Sequence, residues 1–181
     1  VALRSVGRLG SWTVQGVDRA ADEVVVVGGA AGAVGSMVTQ LALRDGATVL
    51  GVVADETQAV SLPEGVEAVL ASDAARSAEL AKERPATLVV DTLGGEGLGE
   101  RSGWVRPGGR AVTIGYVAGT VLTLDLPNWL LQDVALLPVN MIRRDAEARE
   151  FADELTPLLV SGELTLGVER FDFEDAARAL D

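Results

Sequence analysis

Glu23-Val-Val-Val-Val-Gly-Gly-Ala-Ala-Gly-Ala-Val-Gly35 runs directly into Ser36-Met-Val-Thr-Gln-Leu-Ala-Leu-Arg44. Four consecutive valines predict a strand buried on both faces, because β-branched side chains suit a pleated surface and an interior parallel strand has no solvated side. Glycines then turn the chain, and the spacing predicts a helix with Val34, Val38, Leu41 and Ala42 on one face. Gly32 in that turn lets backbone approach a diphosphate, and Gly35 lets the helix pack closely on the strand. The unpaired amides and the positive dipole end of the helix start suit an anion. The loop from Gly28 to Gly35, with Gly29 and Ala31 in it, is therefore a candidate diphosphate site. An ordinary strand-to-helix turn without a ligand is the alternative.

Working outward, Gly46 stops that helix and Ala47–Val53 forms a second strand. Asp55–Leu62 is a short helix or loop, and Val66–Leu70 a third strand. Ser72 and Asp73 cap a helix that runs to Arg84 before Pro85. Thr87–Asp91 is the fourth strand, a helix spans Glu96–Trp104 with a break at Pro107–Gly109, and Arg110–Gly115 is the fifth strand. Val121–Asp125 alternates like a small strand, and Pro127–Gln132 starts a short helix. Val134–Ile142 reads as a sixth strand that Pro138 confines to an edge or a bulge. Asp145–Val160 is an amphipathic helix, Val168–Phe171 a short strand and Phe173–Leu180 a last helical turn or two. Before all of these, Val1–Gly10 reads as a helix end and Ser11–Asp22 as a connector. Strand and helix alternate with short connections, which predicts an α/β fold with a doubly wound parallel sheet, a Rossmann fold of six main strands with helices on both faces.

A chain of 181 residues can bury a substantial core without a disulfide or metal staple. It contains no cysteine and no histidine, which excludes thiolate and imidazole ligands for zinc, cysteine nucleophiles and Ser-His-Asp triads. The net charge of −12, with Lys82 the single lysine, argues against nucleic acid or an anionic membrane as partner. Apolar runs stop short of a membrane span, and a cytoplasmic location is expected. Val1 in place of methionine reads as a segment of a longer chain.

Ligands of doubly wound sheets bind outside the carboxyl ends of the strands. After the second strand, Asp55 stands either as a helix N-cap or as a partner for ribose hydroxyls, and nothing from Val52 to Val60 is basic. After the fourth, Asp91-Thr-Leu-Gly-Gly-Glu96 brings two glycines that let backbone pass close to a flat ligand or form a plain turn. Asp91 stands among the candidate cofactor-binding residues or caps the loop or the strand end, and nothing marks it and Glu96 as an acid/base pair. After the fifth, Tyr116 follows Gly115, as a ligand contact or an ordinary loop residue. Thr120, four residues beyond Tyr116, removes the Tyr/Lys pair of short-chain reductases, and Val27 and Gly28 stand where a methyltransferase wants an acid.

The segments VVVVGGAAGAVGSMVTQLA, VVDTLGGE and VRPGGRAVTIG, in this order and spacing, resemble the cofactor domain of the medium-chain dehydrogenase/reductase superfamily. The likeness is to its zinc-independent, quinone oxidoreductase-like branch, and it covers nearly the whole chain from about Asp22. LLPVNMIRRDAEAREFADELTPLLVSGELT and VERFDFEDAARAL look like the end of that domain and the return towards a catalytic domain.

The resemblance implies a nicotinamide dinucleotide, NADP or NAD, and no metal. It places the amides of Gly32, Ala33 and Val34 on the diphosphate and Leu93, Gly94 and Gly95 beside ribose and nicotinamide. It puts Ile114 and Gly115 behind the nicotinamide, with Val139 and Asn140 near its carboxamide. It further implies a homodimer through the edge strand 134–142 and a barrel-like catalytic domain that is missing here. Residues 1–22 then connect from that domain, 23–167 form the dinucleotide-binding domain and 168–181 lead back. The implied activity is hydride transfer from NAD(P)H to a small-molecule substrate, a quinone or an activated alkene or carbonyl. This segment alone is expected to bind cofactor and turn over poorly. A non-catalytic module that senses NAD(P) or mediates oligomerisation is the alternative.

Overall fold

The computed structural model describes residues 23–140, 142–168 and 170–180. The expected helix end and connector over residues 1–22 lie outside them.

The valine run forms β1 (Val24–Gly28) at the centre of the sheet, and consecutive valines face opposite layers. Val25 and Val27 pack with Val38 and Ala42 on one side, while Val26 packs with Leu80, Trp104 and Val105 on the other. Burying each such side chain contributes roughly 1.5–3 kcal/mol, so both faces of this strand need a covering layer. Helices supply it: α1 (Ala33–Arg44), α2 (Glu56–Val60), α3 (Ala74–Glu83), α4 (Gly95–Ser102), α5 (Leu126–Gln132), α6 (Asp145–Ser161) and α7 (Ala176–Leu180), the last preceded by a 3-10 turn over Phe173–Asp175.

The other strands are β2 (Thr48–Val53), β3 (Val66–Leu70), β4 (Ala86–Asp91), β5 (Val105–Thr113) and β6 (Ala135–Pro138). The order is β3-β2-β1-β4-β5-β6, and all five pairings are parallel. The direction of winding reverses between β1 and β4, so the crevice at the carboxyl ends opens beside Gly28 and Asp91, which are in register. The expected doubly wound sheet of six strands is what forms.

Five local expectations need correction. β5 starts at Val105 and carries Pro107, Gly108 and Gly109 within it, whereas the sequence reading breaks the chain there. Between two pairings β4 advances from Ala86 to Leu88 while β5 advances from Val105 to Arg110, and this irregularity accommodates a proline that has no amide to donate. β6 ends at Pro138 instead of reaching Ile142, because Asn140 Oδ1 accepts from the amides of Ile142 (3.0 Å) and Arg143 (3.1 Å) and turns the chain. Val121–Asp125 is not a strand: Thr123 lies against α4, its carbonyl oxygen 2.7 Å from where a Cβ on Gly99 would stand, and Asp125 caps α5. Val168, Arg170 and Phe171 pair with no strand among the described residues. In α1 the buried face is Gly35, Val38, Thr39 and Ala42, while Val34 is half exposed at the helix's open end, beyond the strand tips.

Candidate functional site

Four loops gather at the carboxyl edge of the sheet. In the first, Gly29 turns through a left-handed φ of +74°, and the amides of Gly29 and Ala30 both donate to Val52 O (3.1 and 3.0 Å). Gly32 is the N-cap of α1 and offers no side chain to cap it. The first intrahelical bond runs from Ser36 N to Gly32 O at 2.8 Å, so the amides of Ala33, Val34 and Gly35 precede the ladder. Gly32, Ala33 and Val34 are exposed, Ala31 is half-buried, and no acidic side chain occupies the first turn. A Cβ on Gly32 would find only Gly29 O, at 3.3 Å, leaving open space over the helix start. The helix end therefore presents donors and the positive pole of its dipole to solvent. Gly35 has a different reason: a Cβ there would overlap the Gly29 carbonyl, so its absence lets α1 seat on the turn.

Past β2, Asp55 is an N-cap. Its Oδ1 accepts from Gln58 N at 2.9 Å, and Gln58 Oε1 accepts in return from Ala54 N at 3.1 Å. Of the two readings of Asp55, the cap is the one this geometry displays.

The loop after β4 is fixed from beneath. Asp91 is fully buried, so its side chain holds the loop and does not face a ligand, which corrects its placement among cofactor contacts. Oδ1 accepts from Leu93 N (3.1 Å) and Gly94 N (2.6 Å), and Oδ2 accepts from Arg101 Nε (2.6 Å). Thr92 ties the loop to the neighbouring strand, its amide and hydroxyl both donating to Gly28 O at 3.2 and 2.8 Å. Gly94 and Gly95 take left-handed φ values of +73° and +65°, which side chains rarely adopt.

The loop after β5 lies directly on this one. Ile114 N donates to Asp91 O at 2.9 Å, Ala118 N donates to Leu93 O at 2.8 Å, and Gly94 bridges Gly119. A Cβ on Gly115 would overlap Thr92 O, and one on Gly94 would lie 2.8 Å from Tyr116 Cα. Tyr116 itself is 73% exposed. Val139 N joins β5 by donating to Thr113 O at 2.9 Å, and exposed Asn140 spends its side-chain oxygen on the turn described above.

The structure thus brings Gly29, Ala31, Gly32, Ala33, Val34, Leu93, Gly94, Gly95, Ile114, Gly115, Tyr116 and Val139 to one edge, with Asp55 past the neighbouring strand and Asn140 turned to its own backbone. An open donor-lined helix end beside a wall of glycine backbone suits an anionic, flat, elongated molecule such as a dinucleotide. Sequence reasoning missed Arg101 and the glycines that make room for it. The available signal was an arginine in a short helix that also carries Gly97. Among the described residues no group of three or more Asp or Glu could hold a metal ion, and the residues present do not fit zinc.

A model of the zinc-binding dehydrogenase family matches residues 33–157. The acryloyl-coenzyme A reductase of Metallosphaera sedula is 36% identical over 129 residues, which is 69% of this chain and 38% of that protein. A quinone oxidoreductase of Pseudomonas syringae pv. Tomato DC3000 superposes with a TM-score of 0.73 at 28% identity, covering 87% of this chain and 51% of that one. The Escherichia coli quinone oxidoreductase complexed with NADPH superposes with a TM-score of 0.70 at 22% identity, over 82% of this chain and 48% of that one, a likeness of fold. This chain spans 38% of the first relative and about half of the two solved chains.

Proposed function

Because the chain belongs to the zinc-binding dehydrogenase family, with the quinone oxidoreductase-like relatives its sequence resembles, we propose that it binds a nicotinamide dinucleotide for hydride transfer to a quinone or an activated alkene or carbonyl. The observation that carries the reading is the start of α1, where the family match begins: Gly32 leaves the helix amides uncovered next to the Gly94–Gly95 and Gly115 backbone. The solved relative with NADPH and the acryloyl-coenzyme A reductase supply the chemical class.

In this reading the amides of Ala33 and Val34 bind the diphosphate, while the Gly32 amide, which the resemblance also places there, is spent on Gly29 O at 3.0 Å. Asp55 takes ribose hydroxyls with the carboxylate oxygen that does not cap α2. Leu93, Gly94, Gly95, Ile114 and Gly115 form the wall that orients the nicotinamide and excludes water from it, with Val139, Asn140 and Tyr116 at its rim. A bound nicotinamide supplies the hydride, and the protein supplies position and electrostatics. The substrate pocket is completed by the part of the relatives' length that this chain does not span, the protein works in the cytoplasm, and the free edge of β6 is the seam of a homodimer.

Titration with NADH and with NADPH, followed by nucleotide fluorescence, tests the reading. Binding of at least one tighter than about 1 mM is expected. Gly32→Val is expected to abolish it in a protein that still folds, since φ −74° and ψ 167° suit any residue there. Absence of binding by the unaltered protein sinks the proposal. Sedimentation equilibrium tests the dimer, and a monomer at all concentrations removes it.

A further inference from the structure

The carboxylate of Asp91 is wholly buried, and a buried charge persists only when it is paired and its remaining lone pairs are satisfied. Both conditions are met by two different elements. Oδ1 accepts from the Leu93 and Gly94 amides, the first amides of the loop that follows β4 after Thr92. Oδ2 faces Arg101 on α4, with Nε at 2.6 Å as a hydrogen bond and Nη2 at 2.6 Å as an ionic contact. The Arg101 side chain is only 5% exposed, so this pair is cut off from the solvent that weakens surface ion pairs.

Space for the guanidinium is made by two glycines. A Cβ on Gly28 would lie 3.0 Å from Arg101 Nε and closer still to Asp91 Oδ2. A Cβ on Gly97 would lie 2.6 Å from Nη1 and 3.1 Å from Nη2. Neither glycine has a positive φ, so neither is required by backbone conformation. Gly97 sits inside a helix, where glycine is less favourable than alanine. Room for the Asp91–Arg101 pair accounts for both.

We propose that Arg101 is a positioning residue for cofactor binding. It holds the Asp91 carboxylate in place, that carboxylate fixes the Leu93 and Gly94 amides, and the fixed loop carries the wall on which the nicotinamide lies. The inference rests on the cofactor reading above. The wall beyond the loop follows, because Ala118 hangs from Leu93 O and Gly119 bridges Gly94.

The test follows backbone amide exchange by NMR at Leu93 and Gly94, with Val26 and Leu50 in the central strands as a fold control, and NADPH and NADH affinities by fluorescence. Arg101→Met removes the partner of a hydrogen-bonded buried charge. Exchange at Leu93 and Gly94 is expected to accelerate about tenfold to a hundredfold with little change at Val26 and Leu50, and cofactor affinity to fall by about tenfold. Asp91→Asn added to Arg101→Met is expected to restore much of the protection, since the amide oxygen still accepts from both backbone donors and no unpaired charge remains. Gly97→Ala covers the case in which Arg101→Met fails to fold. It favours the helix by propensity yet pushes the guanidinium off its seat, so the same loss of loop protection is expected. Unchanged exchange at Leu93 and Gly94 in Gly97→Ala, or equal acceleration at Val26 and Leu50, overturns the positioning role. Faster exchange confined to the loop, in a protein whose unaltered form binds neither nucleotide, overturns the cofactor reading instead.

Discussion

Replacing Gly35 with alanine should destabilise the protein, although alanine is the best helix former and position 35 is helical. A Cβ at Gly35 stands 2.7 Å from the carbonyl carbon of Gly29 and 3.0 Å from Ala30 Cα, and it overlaps the Gly29 oxygen. All three obstructing atoms are backbone. That backbone cannot retreat, because the Gly29 and Ala30 amides are both held by Val52 O. The helix must move instead. Restoring ordinary contact near 3.5 Å with that oxygen requires α1 to shift by about 1.5 Å, enough to forfeit more than half of the attraction across the gap.

The side chains that lose contact are Val38 and Ala42, 6% and 1% exposed against β1. Overpacking of this kind costs about 1–3 kcal/mol, and the rigid obstruction places Gly35→Ala in the upper half of that range. Helix propensity returns about 1 kcal/mol. The net is a loss of about 1–2 kcal/mol, or about 2–8 °C in Tm for a chain of this size. Thermal and urea denaturation by circular dichroism measures it. Gly32→Ser is the control three residues earlier, where a Cβ meets Gly29 O alone, at 3.3 Å, and serine is a good N-cap, so stability should change by less than about 1 kcal/mol. Wild-type or higher stability in Gly35→Ala would refute the packing argument.

Asp55→Ala removes the cap of α2 and should cost about 1 kcal/mol, seen as lost exchange protection at Gln58 N. Leu80→Ala hollows the layer between α3 and the sheet, where Leu80 is fully buried, and should lower stability by about 2–5 kcal/mol, with the urea midpoint falling at constant slope. The Arg44 guanidinium, and after it the Ser161 hydroxyl, hold the Glu163 carboxyl below its usual value. Since the folded value lies below the unfolded one, the tether's contribution is complete above the ordinary carboxylate range and fades as pH falls through the lowered value. An NMR titration of Glu163 should show this low midpoint, and Arg44→Met should raise it toward the ordinary range, with the Ser161 hydroxyl still holding part of the shift.

How much was legible depends on where the information sits. The valine run named its strand because one local property, burial on both faces, dictates one residue class. The doubly wound order followed from the alternation of elements. Gly35 was legible for the same reason, since a glycine at that helical position has few uses besides close packing. Asp91 and Arg101 were not, because their pairing depends on the register of β1 beside β4 and on the face that α4 turns inward. The end of β6 was missed because Val139, Ile142 and their neighbours look strand-like, while the Asn140 side chain that turns the chain is a single residue among them. Val34 was assigned to the buried face by spacing alone. Position along α1 decides its exposure, since the helix begins beyond the strand tips.

The chain segments that follow β4, β5 and β6 are joined into one frame by hydrogen bonds, and this bears on what a ligand would meet. Gly28 O receives both donors of Thr92, Asp91 O receives Ile114 N, Leu93 O receives Ala118 N, and Thr113 O receives Val139 N. Every link joins a loop to the strand end or loop beside it, so a shift in one displaces the next. The start of α1 keeps uncapped donors at Ala33 and Val34, and these face solvent. The wall is therefore built before any ligand arrives, and the ordering cost that a mobile loop would impose on binding is largely absent. A frame of this kind also makes substitutions spread. Gly115→Ala, whose Cβ would overlap Thr92 O, touches no part of α1. Through Thr92 and Gly28 it should nevertheless disturb the diphosphate end of the site. Weaker binding of ADP-ribose, which lacks the nicotinamide that position 115 would back, measures that spread, and unchanged ADP-ribose affinity in a folded Gly115→Ala protein would show that the loops respond one at a time.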